Sequence, residues 1–119
     1  FNFVEDLCAA FYAVGFNDKV VGKVINASSN FEISIKDTVS LIAKIMNADI
    51  NIITDQKRLR PNKSEVERLF GDNSLLKKIT NWVPEYGGMK GFESGLKITI
   101  DWFLDENNLK NYKHDFYLT

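Results

Sequence analysis

Stretches whose apolar residues recur at helical period alternate along this chain with short β-branched or aromatic runs, and that alternation restricts the fold more than any other feature. Phe1-Asn2-Phe3-Val4 reads as a strand. Asp6 then stands as a cap ahead of Leu7, Ala10, Phe11 and Val14, which a helix brings to one face, and Gly15 is placed to stop that helix in the left-handed conformation. Cys8 falls on the same apolar stripe and reads as a small buried hydrophobe. Gly22 to Ala27 reads as a second short strand around Val24 and Ile25, closed by the polar break Ser28-Ser29-Asn30.

Ser34, with Asp37 three residues on, has the form of a capping box and opens a second helix. Its face carries Ile35, Val39, Ile42, Ala43 and Met46 and ends near Asn47. Asp49 to Thr54, with Ile50, Ile52 and Ile53, reads as a third strand, and Asp55 to Gly71 as a loop leading to a short strand. Asn73 or Ser74 caps a third helix bearing Leu75, Leu76 and Ile79, which stops around Trp82-Val83-Pro84. Gly87, Gly88 and Gly91 read as a flexible connection to a fourth helix from about Phe92, whose stripe is Phe92, Leu96, Thr99, Ile100 and Phe103. The tail after Asn107 carries no regular pattern. The predicted class is therefore α/β, a small mixed lobe of short strands and about four helices.

With 119 residues, 45 % of them hydrophobic and 26 % charged, the chain has the composition of one compact domain rather than of a disordered segment. A net charge of -1 offers no electrostatic excess for a polyanion, so nucleic acid is excluded as a partner. No apolar run reaches the roughly 18 to 20 residues that span a bilayer, and no secretory pattern opens the chain, so the expectation is a soluble cytoplasmic protein without a membrane partner. One Cys and one His give neither a disulfide framework nor a zinc constellation. No glycine-rich phosphate turn follows any predicted strand, so this chain by itself is not expected to hold NAD. Its start at Phe1, inside a strand-like run, suggests a piece of a longer protein.

The chemistry-bearing stretch is RLRPNKSEVERLFGDNS, which ends at Ser74. A guanidinium fork suits a phosphate and a carboxylate suits a pair of vicinal hydroxyls, so Arg60 and Glu65 fit a nucleoside diphosphate, with Pro61 fixing the backbone after Arg60. Composition alone favours a solvated face in which Lys57, Arg58 and Arg60 balance Glu65 and Glu67, and it is the order of the residues and their neighbours that points to a ligand.

The order of the motifs resembles the extended short-chain dehydrogenase family of NAD-dependent nucleotide-sugar epimerases and dehydratases. The segments that carry the likeness are FNFVEDLCAAF from Phe1, GKVINASSNFEISIKD from Gly22, RPNKSEV from Arg60, RLFGDNS from Arg68, NWVPEY from Asn81 and FESGLKITIDWF from Phe92. Asn81 stands where the family pattern has Gly before Trp82. The finest likeness is to the 4,6-dehydratases of legionaminic-type sugar synthesis, carried by RPNKSEVERL and by a tail from Tyr112 to Tyr117 similar to Tyr-x-x-Asp-x-Tyr; GDP-mannose dehydratases share a related Arg-Pro motif.

The resemblance implies that residues 1–119 form a single carboxyl-terminal substrate-binding lobe of a Rossmann-type enzyme, whose NAD-binding half is absent from this chain. It implies a nucleoside-diphosphate sugar as ligand, Arg60 at the diphosphate, Glu65 at the ribose, and Val66 and Arg68 close by. The Tyr-x-x-x-Lys pair and NAD belong to the upstream half, with which this lobe pairs, and the parent is expected to be a homodimer. No catalytic, cofactor-binding or metal-binding residue is assigned here. The parent's reaction would be removal of water from the sugar across C5 and C6, a lyase step in carbohydrate biosynthesis; a nucleotide-sugar epimerase fragment and a non-catalytic interaction module are the alternatives.

Overall fold

A computed structural model describes residues 1–53 and 68–110. Five α-helices and one turn of 3-10 helix form among them: α1 (Val4–Gly15), the 3-10 turn (Asp18–Val20), α2 (Ile35–Met46), α3 (Ser74–Thr80), α4 (Gly88–Leu104) and α5 (Glu106–Leu109). α1 packs on α3, while α2 and α5 pack on α4.

No strand forms among the described residues, which overturns the expected mixed α/β lobe. Aromatic and β-branched residues make an extended backbone comfortable, but a strand exists only where a second backbone supplies the ladder. Phe3 is extended, yet Val4 already belongs to α1. Ahead of it, the backbone is tied by side chains: Ser29 Oγ donates to the Phe1 carbonyl at 2.7 Å, and Ser29 N–H donates to Asn2 Oδ1 at 2.7 Å. Val24 at 92 % and Ile53 at 83 % exposure lie in irregular segments with no ladder partner, so the other two strand expectations fail for the same reason. The expected loop over 55–67 and the tail over 111–119 fall outside the described residues.

The helices follow their stripes, with corrections at the ends. α2 begins with the first bond of the capping box, Asp37 N–H donating to Ser34 Oγ at 3.0 Å, while the Asp37 carboxylate accepts from the Ser34 hydroxyl at 2.7 Å, and Asn47 closes the helix in the left-handed region at φ 50°. α1 has no side-chain cap, because Asp6 sits inside its first turn and turns away to another task. That carboxylate, 5 % exposed, accepts the Glu85 N–H at 2.7 Å and the Tyr86 N–H at 3.1 Å. Gly15 is the last helical residue and takes no left-handed conformation; Phe16 caps the helix instead. Cys8 is exposed, contrary to its reading as a buried hydrophobe, since α1 turns Ala10 to the core.

At α3, Asn73 occupies the cap position but its side chain donates to the Ser28 carbonyl at 2.8 Å, and Asp72 takes over the capping, accepting from Ser74 N–H at 2.9 Å and from Ser74 Oγ at 2.5 Å. α4 starts at Gly88, ahead of the predicted Phe92, so Gly88 and Gly91 belong to the helix rather than to a flexible link. A Cβ on Gly91 would lie 2.3 Å from the Tyr86 carbonyl carbon, and one on Gly95 would lie 3.0 Å from the Phe3 ring. α5, a single turn, was not foreseen from the polar tail; Asp105 caps it by accepting from Asn107 N–H at 2.9 Å.

The core is small. Leu76, fully buried, meets Ala10 and Trp82, with Ala13, Val14, Ile25 and Ala27 partly covered around them. The buried Trp82 indole N–H meets no acceptor among the described residues. Much of the predicted helical stripes stays in contact with solvent: Phe11 is 79 % exposed, and Ile35, Met46 and Phe103 are exposed as well. Among the described residues no helix is long and apolar enough to cross a membrane.

Two stability predictions follow from these contacts. Gly91→Ala must push a methyl into the Tyr86 backbone and should cost roughly 1–3 kcal/mol, whereas Gly15→Ala, with open space around it, should be neutral or slightly stabilising; urea midpoints of the two variants test the contrast. Asp6→Ala should lower stability by roughly 1–3 kcal/mol, because two backbone donors lose their acceptor, and equal midpoints for Asp6→Ala and wild type would refute that role.

Candidate functional site

A cleft of about 890 Å³ opens between the chain's first residue, the segment entering α2, the segment from Arg68, and the first turn of α4. Its apolar lining includes Phe1, Phe31, Ile33, Leu69 and Met89, and its polar lining Glu32, Ser34, Asp37 and Arg68. The Phe92 ring braces the aromatic part from behind, 5.5 Å from the Phe1 ring and 5.7 Å from the Phe31 ring, distances typical of tilted aromatic contacts. The cleft therefore combines apolar aromatic surface with charged groups.

Several links to the rest of the chain hold these walls in place. Ser28 Oγ donates to the Gly71 carbonyl at 2.6 Å, which fixes the segment that follows Arg68. Ser29 ties down Phe1 and Asn2, as described above. The Ser34–Asp37 box fixes the start of α2, and with it Glu32 and Ile33 just ahead.

Arg68 is the only basic side chain lining the cleft among the described residues. Its guanidinium meets Glu32 side-on: Nε donates to Oε2 at 3.1 Å and Nη2 donates to Oε1 at 2.5 Å. Both side chains are open to solvent, 73 % for Arg68 and 40 % for Glu32. The hydrogen bonds from Arg68 hold the Glu32 carboxyl below the usual carboxylate range, and the same contact raises the guanidinium further above its ordinary value. Asp72 is likewise lowered, by the hydroxyl and then the backbone N–H of Ser74. Tyr86 behaves oppositely: burial, then the Glu5 carboxylate at 3.3 Å from its hydroxyl, push the phenol up. Tyr86 packs on the Phe3 ring at 4.2 Å, so its place is in the support of α1 rather than in the cleft.

Of the four residues expected at the ligand, Arg68 lies in the cleft, while Arg60, Glu65 and Val66 lie outside the described residues. Glu32 was missed by the sequence reading. It is 36 positions from its partner, and no local pattern links the two. The weak signal was its position, a lone carboxylate between Phe31 and Ile33 just before a capping serine.

The chain is 29 % identical over 82 residues to the GDP-6-deoxy-D-mannose reductase of Pseudomonas aeruginosa. The match takes in 69 % of this chain and 26 % of that protein, so the chain spans about a quarter of its relative's length. No protein-family model matches the chain. No solved structure matches it either.

The pair makes a titration prediction. Because the folded-state pKa of Glu32 is lowered, the stabilising effect of its contact with Arg68 is present above the carboxylate's unfolded pKa and is lost as pH falls through the lower folded one. A carbon-detected NMR titration should place Glu32 below the usual glutamate midpoint, and Arg68→Ala should return it to the ordinary value.

Proposed function

We propose that this chain is the nucleoside-diphosphate-sugar-binding part of an NAD-dependent nucleotide-sugar enzyme. The observation that carries the reading is an exposed arginine fork on the wall of a large, partly aromatic cleft, in a chain similar to a protein whose name contains a GDP-linked sugar. A guanidinium recognises phosphate oxygens in pairs, and an aromatic wall offers a nucleobase or sugar an apolar face, so the cleft has both kinds of contact that such a ligand needs.

On this reading Arg60 and Arg68 meet the diphosphate, Glu65 accepts from the ribose hydroxyls, and Val66 packs beside them. The rest of the parent enzyme supplies NAD and the groups that move protons, and the parent works as a homodimer in the cytoplasm. The finer reading, a 4,6-dehydratase of the legionaminic type, rests on RPNKSEVERL and on the tail from Tyr112 to Tyr117. A second reading is a reductase of the sugar carbonyl. It is favoured by the name of the Pseudomonas relative, a reductase, and the two differ in groups that this part of the enzyme does not contribute.

Binding tests the proposal directly. Titrating the chain with UDP-N-acetylglucosamine and with GDP-mannose should show saturable binding to at least one of them, weakened about tenfold or more by Arg60→Ala, because each charge-assisted contact to phosphate contributes on the order of 1.5–3 kcal/mol. Equal affinities for wild type and variant would remove Arg60 from the site, and the absence of saturable binding to either sugar nucleotide would overturn the proposal.

A further inference from the structure

We infer that Glu32 is a built-in competitor for the anion site on Arg68: its carboxylate occupies the guanidinium face that a ligand phosphate takes, and the ligand binds by displacing it. The inference rests on the proposed diphosphate role of the cleft and adds to it the residue that sets the affinity.

The geometry supplies the argument. A carboxylate and a phosphate present the same spacing of two oxygens to an arginine fork, so the Nε and Nη2 edge now filled by Glu32 is an edge that a phosphate can use without any change in Arg68. Nη1 has no hydrogen-bond partner among the described residues, which leaves a second edge, between Nη1 and Nη2, on which an incoming phosphate can land before Glu32 leaves. Both side chains are solvent-exposed and line the same cleft, so the exchange needs no backbone opening. A solvent-exposed ion pair contributes little, so a ligand of higher charge can replace it.

Among the described residues Glu32 has no other hydrogen bond or ion pair, so of these only Arg68 holds its carboxylate over the cleft. Asp37, the other acid of the lining, is committed to the Ser34 cap and does not reach Arg68. The competition is therefore assigned to one carboxylate, and replacing that carboxylate by its neutral isostere separates competition from support.

The test is calorimetric titration of the whole chain with inorganic pyrophosphate, comparing wild type with Glu32→Gln, Arg68→Ala and the double variant, all at one ionic strength and after circular dichroism shows equal helicity. Glu32→Gln should tighten binding by about two- to fivefold, the range spanned by exposed ion pairs. Arg68→Ala should weaken it, and in that background Glu32→Gln should change nothing, since the two residues act through one contact. Unchanged or weaker binding in Glu32→Gln, with Arg68→Ala still weakening it, would overturn the competitor role and leave the phosphate cleft standing. The same gain from Glu32→Gln with and without Arg68 would show a diffuse charge effect and overturn it too. Pyrophosphate binding that no variant alters would remove Arg68 from the site, and the inference with it.

Discussion

Asp6 is the point on which the arrangement of this chain depends. Its carboxylate, set in the first turn of α1, accepts two backbone N–H groups from the turn that precedes α4, across 79 and 80 positions of sequence. Hydrogen bonds to a charged acceptor are about twice as strong as neutral ones, and a buried acceptor is held tightly to its donors. With α1 fixed to the entry of α4, the Phe3 ring falls on Gly95 and Tyr86, and Phe1 reaches Phe92, so the aromatic side of the cleft is built from this one contact outward.

Ser28 and Ser29 make the second junction. Between them they hold the Phe1 carbonyl, the Asn2 side chain, the Gly71 carbonyl and the Asn73 amide, so two separated stretches, 1–2 and 71–73, meet at two small polar residues. Chains with a large core can leave such positioning to packing. Here only Ala10, Leu76, Trp82 and Ile100 are buried hydrophobics among the described residues, so directional hydrogen bonds take a larger share of the work. Apolar burial brings elements together but does not orient them; side-chain to backbone bonds do both.

That division explains what could be read in the sequence. Local rules were legible: the Ser34–Asp37 box, the end of α2 at Asn47 and the stripe of α4 all depend on residues within a turn or two of one another. Asn81 closes α3 at φ 60°, and asparagine is among the few residues that tolerate the left-handed region, so the helix ends there without a glycine. Non-local uses of the same residue types were not legible. Asp6 looks like a cap, Ser28-Ser29 like a break, Gly91 like a hinge and Glu32 like a surface charge, and each acquires its role only from a partner far along the chain. The strands failed for a related reason, since residue preference describes one backbone and a ladder requires two.

The exposed stripes extend the same argument from the chain to its surroundings. Phe11, Tyr12 and Phe16 follow one another along α1 and its cap, with the last two rings in contact at 4.6 Å, yet all three stand open to solvent. Apolar residues at helical spacing are expected on a buried face, so the exposure of these rings is something that residue period alone does not explain. Arg68 and Glu32 are different in kind. They are charged, solvated and already matched to each other, so their exposure needs no covering surface, and what they lack is a reason to remain paired when a stronger anion enters the cleft.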